Sequence, residues 1–92
     1  MKPLVVEFSD SFDKQLRKSP VQIKKAFKER VLLFYTDPIS PPLNNHKLKG
    51  RMGLYRSINV TGDWRALYTI RELDGGEAVV FELLGTHSQL YK

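Results

Sequence analysis

Prolines occupy three of the five positions from 38 to 42 (Pro38-Ile39-Ser40-Pro41-Pro42), and the hydrophobic pattern obeys a different period on each side of that block. A helix does not run through such a stretch, because each proline lacks a backbone donor and its ring crowds the preceding turn. Before the block, Ile23, Phe27, Val31 and Phe34 recur at helical spacing, while Lys24, Lys25, Lys28 and Glu29 take the opposite side. After it the period is two. Residues 54–60, 64–72 and 78–84 read as strands, separated by the turn sequences Thr61-Gly62-Asp63 and Asp74-Gly75-Gly76. Helices come first and an antiparallel meander follows, which predicts an α+β chain.

The remaining segments fit this division. Leu4-Val5-Val6-Glu7-Phe8 is a short β-branched strand pattern. Ser9 or Ser11 can cap a helix over 10–18, with Phe12 and Leu16 four apart on one face. Ser19-Pro20 starts a second helix, with proline at the first helical position, where its missing donor costs nothing. The tight turn between the two predicts an antiparallel helical hairpin. Residues 44–53 read as a polar loop, and the tail from Thr86 as a last helical turn or short extension. Ninety-two residues suffice for one modest core, so the chain is expected to form a single domain over 1–92. The hairpin covers one face of the sheet and leaves the other bare.

Residue inventory removes several classes of chemistry. Cysteine is absent, and His46 and His87 are the two histidines, so thiolate metal sites, thiol nucleophiles and histidine-rich metal sites are excluded. No apolar run approaches the ~20 residues of a membrane-spanning helix, and Met1-Lys2-Pro3-Leu4 does not open a signal peptide. A cytoplasmic location is expected, with no membrane partner. Glycine-rich phosphate loops in the strand-to-helix context and a Gly-x-Ser-x-Gly elbow are both missing, and acidic residues are too scattered for a two-metal nuclease.

Charge is unevenly spread. The net charge is +5, and residues 47–71 carry Lys47, Lys49, Arg51, Arg56, Arg65 and Arg71 against Asp63 alone. Such a block attracts polyanions, although a solvated basic surface explains it equally well. Histidines beside arginines suit cleavage of RNA by its own 2′-hydroxyl. One group takes that proton, another protonates the leaving 5′ oxygen, and cations stabilise the charged phosphorane. Each residue also has a plain structural reading: His46 as a loop histidine, His87 as a strand-end cap, Asp63 as a turn residue and Trp64 as core.

The joint arrangement resembles the RelE/ParE superfamily of bacterial type II toxins, and within it the YafQ-like branch. The resemblance spans nearly the whole chain: His46-x-Leu48-x-Gly50, Tyr55-Arg56, Asp63-Trp64-Arg65 with Leu67-Tyr68, and the ending Gly85-Thr86-His87-Ser88-Gln89-Leu90-Tyr91. It implies a RelE-like fold, a twisted antiparallel sheet with the helical hairpin on one side. The implied activity is that of an mRNA interferase, a ribosome-dependent endoribonuclease acting without a metal ion or other cofactor. His87 and His46 fall at catalytic histidine positions, Asp63 at a catalytic aspartate and Tyr91 at a terminal aromatic. Trp64 matches the aromatic beside the aspartate. Candidate RNA and phosphate contacts are Arg65, Arg56, Arg51, Lys47, Lys49, Trp64 and Asn59. Two positions depart from the pattern: Asn59 stands where a further histidine is expected, and Leu83 where an arginine is expected. The implied partners are a cognate antitoxin, mRNA and the 70S ribosome. A non-enzymatic ParE-like gyrase inhibitor and a catalytically weakened RNA-binding relative are the alternatives.

Overall fold

The computed structural model describes residues 5–91. The first strand, β1, runs Val5–Phe8; Leu4, which the pattern includes in it, lies outside the described residues. Helices α1 (Asp10–Lys18) and α2 (Val21–Thr36) follow, then a 3₁₀ turn at Pro41–Leu43. Strands β2 (His46–Lys47), β3 (Arg56–Asn59), β4 (Trp64–Leu73) and β5 (Gly76–Thr86) come next, and α3 (His87–Leu90) closes the fold. The α1 boundaries are those the pattern predicts. Of the two candidate caps Ser9 is the one used, its hydroxyl accepting from the Phe12 N–H at 3.0 Å. Pro20 sits at the N-cap of α2, one position before the expected first helical residue, and its carbonyl accepts from Ile23 and Lys24.

The sheet order is β1-β5-β4-β3-β2. The three meander strands are antiparallel as expected, but β1 joins the edge by pairing parallel to β5, so the sheet is mixed. The two helices form the crossover that such a parallel connection requires. Strand β2 lies inside the stretch read as loop; two residues are too few to show a period.

Strand register decides which side chains meet the helices. On β4, Trp64, Ala66 and Tyr68 point toward them, opposite Thr86, Leu84 and Phe81 of β5. A register shift at Leu67/Tyr68 marks a bulge. Phe12, Phe27, Phe34, Tyr68 and Phe81 fill the space between layers, with Phe12 and Phe27 ring centroids 5.0 Å apart and Phe27 and Phe81 5.4 Å apart. Such aromatic pairs each contribute about 0.5–1.5 kcal/mol beyond area burial, so this knot holds the hairpin to the sheet. Gln15 of α1 reaches across to accept from the Leu84 N–H at 2.8 Å, satisfying a backbone donor near the bulge. The other sheet face carries no helix of the hairpin, and the candidate site lies there.

Candidate functional site on the open sheet face

Alternation along β3 and β4 sends Ser57 and Asn59, with their cross-strand partners Leu67 and Arg65, to the open face. His46 of β2 pairs with Ser57 and shares that face. From the chain's other end, Thr86 caps α3 through a capping box with Gln89, which sets His87 at the helix start and Tyr91 just past its end. The His87 N–H donates to the Asp63 carbonyl at 2.9 Å, tying α3 to the β3–β4 turn. A cleft of about 360 Å³ results, lined by Asn44, His46, Leu48, Arg65, His87 and Tyr91. Its size lies within the range of sites that take small ligands.

Each lining group is held by a specific contact. His46 Nδ1 lies 2.7 Å from the Asn44 carbonyl. A carbonyl only accepts, so Nδ1 carries the proton and the neutral ring turns an unprotonated Nε2 outward. Asn44 reaches this geometry through a left-handed backbone, φ 45°, which asparagine tolerates better than most residues. The Tyr91 ring packs against His87, centroids 4.6 Å apart, and its hydroxyl donates to Ser57 Oγ at 3.3 Å. Arg65 Nη1 donates to the carbonyls of Thr61, Gly62 and Trp64 at 3.0, 3.1 and 3.1 Å. One end of the guanidinium is thereby locked to the turn. Its remaining donors are left for an anion in the cleft.

The structure brings together His46, His87, Arg65 and Tyr91 of the sequence-predicted set. Asn59 lies beside Arg65 on the same face, its Oδ1 buried without a hydrogen-bond partner among the described residues. Asp63 adjoins the cleft through its backbone; among the described residues its carboxylate bonds to neither imidazole, so the expected tuning of a ring by that group is not seen. Trp64 and Arg56 are corrections. Trp64 turns toward the helices and packs on the core, and Arg56 turns the same way to meet Tyr68. Lys47 pairs with Arg56 and follows it to that side, while Lys49 and Arg51 are exposed on the loop beyond β2 and outside the cleft lining. Adjacent residues on a strand face opposite ways, which separates Trp64 from Arg65 and Lys47 from His46.

Sequence reasoning missed Asn44, Leu48 and Ser57. Asn44-Asn45 before His46 was the available signal, since asparagine favours turns and left-handed backbone. Leu48 and Ser57 carried none. Among the described residues no group of three or more His, Cys, Asp or Glu is placed to hold a metal ion, and no helix is long and apolar enough to cross a membrane.

Comparison with known proteins extends this picture. Residues 4–92 match the family described as bacterial toxin of type II toxin-antitoxin system, YafQ. No curated protein sequence matches the chain. Among solved structures, YafQ within the Escherichia coli DinJ-YafQ toxin-antitoxin complex is 25% identical with a TM-score of 0.66, covering 99% of this chain and 100% of that one. A metal-bound toxin from Helicobacter pylori is 26% identical with a TM-score of 0.67, covering 96% of this chain and 99% of that one. The YoeB/ParE toxin from Agrobacterium tumefaciens, 15% identical with a TM-score of 0.72 over 91% of this chain and 99% of that one, shares the fold.

Proposed function

The chain belongs to the YafQ family of bacterial type II toxins, and on that footing we propose that it is an endoribonuclease that cuts mRNA on the translating 70S ribosome without a metal ion. The observation that carries the proposal is the meeting of two imidazoles and a guanidinium in one cleft on the uncovered sheet face.

In the proposed reaction the 2′-hydroxyl attacks the adjacent phosphorus and the bond to the 5′ oxygen breaks. A 2′,3′-cyclic phosphate and a 5′-hydroxyl end result. His46 takes the 2′-hydroxyl proton on Nε2, the nitrogen its contact with Asn44 leaves unprotonated. His87 gives the proton to the departing oxygen. Arg65, fixed to the turn through Nη1, offers its other donors to the phosphorane, where charge builds up. The Tyr91 ring orients His87 and a neighbouring base. Asp63 acts through its carbonyl by holding the start of α3. Neither step needs a cofactor.

The proposed partner is a cognate antitoxin, since DinJ binds YafQ in a similar solved structure. A chain of net charge +5 suits an acidic antitoxin segment covering the cleft and its surroundings. Translating ribosomes place the action in the cytoplasm.

Primer extension on mRNA from cells briefly expressing the protein tests this proposal. Cuts in codon register that vanish with His87→Ala, and when translation is blocked, are the expected result. Cleavage should survive EDTA in a reconstituted translation mixture. Intact mRNA together with a DNA-damage response would move the protein to the gyrase-directed reading.

A further inference from the structure

A polar cluster on the helix-facing side of the sheet takes no direct part in the reaction proposed above. Arg56 lies opposite Tyr68 across the β3–β4 ladder. Its Nε donates to the Tyr68 hydroxyl at 3.2 Å and to Asn45 Oδ1 at 3.4 Å. The Tyr68 hydroxyl donates to the same Oδ1 at 2.9 Å, and Asn45 Nδ2 donates to the Pro38 carbonyl at 2.9 Å. Both ends of one amide are therefore engaged, by the core on one side and by the proline block on the other.

Asn45 stands between Asn44, whose carbonyl accepts from His46 Nδ1, and His46 itself. We propose that Arg56, Tyr68 and Asn45 are positioning residues that fix the ring orientation and the Nδ1–H tautomer of His46 from the opposite face of the sheet. The inference rests on the reading of His46 as the proton acceptor. Asn44 holds a left-handed backbone, φ 45°, which a non-glycine residue keeps only when its surroundings demand it. The tethered Asn45 supplies that demand. Tyr68 needs no hydroxyl for packing, because its ring meets Phe34 at 5.3 Å and Phe81 at 5.5 Å between centroids, as a phenylalanine would. The hydroxyl does one further thing, which is to hold Asn45. The 2.7 Å contact to Asn44 persists only with Nδ1 protonated, so loosening the tether releases the tautomer as well as the ring.

The test uses the full chain with Tyr68→Phe, Asn45→Ala and Arg56→Met. Imidazole 15N shifts report the His46 tautomer independently of catalysis. The parent is expected to show protonated Nδ1 and unprotonated Nε2 in the neutral ring. Tyr68→Phe and Asn45→Ala are expected to mix the two tautomers and to lower kcat about tenfold, with KM unchanged within about twofold. Asn45→Ala, a half-buried loop substitution, decides the matter if Tyr68→Phe does not fold. Arg56→Met should lower kcat while leaving the salt dependence of RNA binding at the parental slope. A parental tautomer in both Tyr68→Phe and Asn45→Ala overturns the proposal. A salt slope reduced by about one in Arg56→Met does so for Arg56, because it places that side chain on a phosphate. If the parent protein cleaves no RNA, the ribonuclease reading falls, and the tautomer still decides whether these residues hold His46.

Discussion

The Tyr91 hydroxyl donates to the buried hydroxyl of Ser57 at 3.3 Å, so the last aromatic of the chain is rooted in the middle of the sheet. Its ring meanwhile lies 4.6 Å from that of His87. One side chain thus links the β3 surface to the imidazole at the start of α3, and its two attachments can be removed separately. Tyr91→Phe loses a neutral hydrogen bond worth about 1 kcal/mol and should lower kcat/KM by less than about tenfold. Tyr91→Ala removes a wall of the cleft and frees His87, and a loss of about 100-fold is expected. Steady-state cleavage of a short RNA separates the two; equal losses would mean that the hydroxyl, not the ring, is what matters.

His46 and His87 are both exposed, so neither contributes to the core. Replacing either by alanine should leave thermal stability within a few tenths of a kcal/mol while lowering cleavage by about 10²–10⁴-fold. Growth arrest on expression should lift in parallel. Undiminished toxicity of a folded His87→Ala protein would remove His87 from the reaction.

Much of the fold was legible because its signals are local. The Ser9 cap, the amphipathic spacing of Phe12 and Leu16 and the glycine turns set the helical hairpin and the meander. The pairing of β1 with β5 was not legible, since alternation reports a strand's two faces but not its neighbour. At the site, the expectation joined Trp64 with Arg65 and Lys47 with His46, although consecutive strand residues face opposite ways. Burial of Tyr68 fixes the parity: Trp64 and Ala66 go with it, and Arg65 goes to the cleft. The hold of Asn44 on His46 depends on a single backbone angle and has no periodic signature.

Trp64→Phe follows from that parity. The ring packs against the core beside Leu84 and Leu90 rather than facing RNA. Stability should fall by about 1 kcal/mol through incomplete filling, with RNA affinity unchanged. Fluorescence anisotropy with a labelled RNA and a thermal melt measure the two. Lost affinity at unchanged stability would return Trp64 to the RNA surface.

Gly85 offers a way to disturb α3 alone. A Cβ there would lie 2.9 Å from Gln89 Oε1, the atom that accepts from the Thr86 N–H and closes the capping box. Gly85→Ala should therefore cost about one cap, near 1 kcal/mol, and lower Tm by about 4–8 °C. Activity should fall further than that loss predicts, because His87 and Tyr91 flank the displaced turn. Gly62→Ala, where an added Cβ meets nothing within 4 Å, serves as the control. Equal effects of the two substitutions would show that the capping box is not what positions His87.

Arg65 gives the sharpest electrostatic test. Its guanidinium serves two tasks at once, holding three turn carbonyls through Nη1 and offering its other donors to the cleft. An ammonium cannot divide itself in this way, because it is a point charge without a planar fork. Arg65→Lys keeps the charge, so the slope of log affinity against log salt should stay near the parental value. Cleavage should nevertheless drop about tenfold or more as the cation leaves its fixed position. Arg65→Gln removes the charge as well, and its salt slope should fall by about one, the signature of one lost phosphate contact. If Arg65→Gln keeps the parental slope, Arg65 serves only the turn, and the phosphate-binding cation must be sought elsewhere in the molecule.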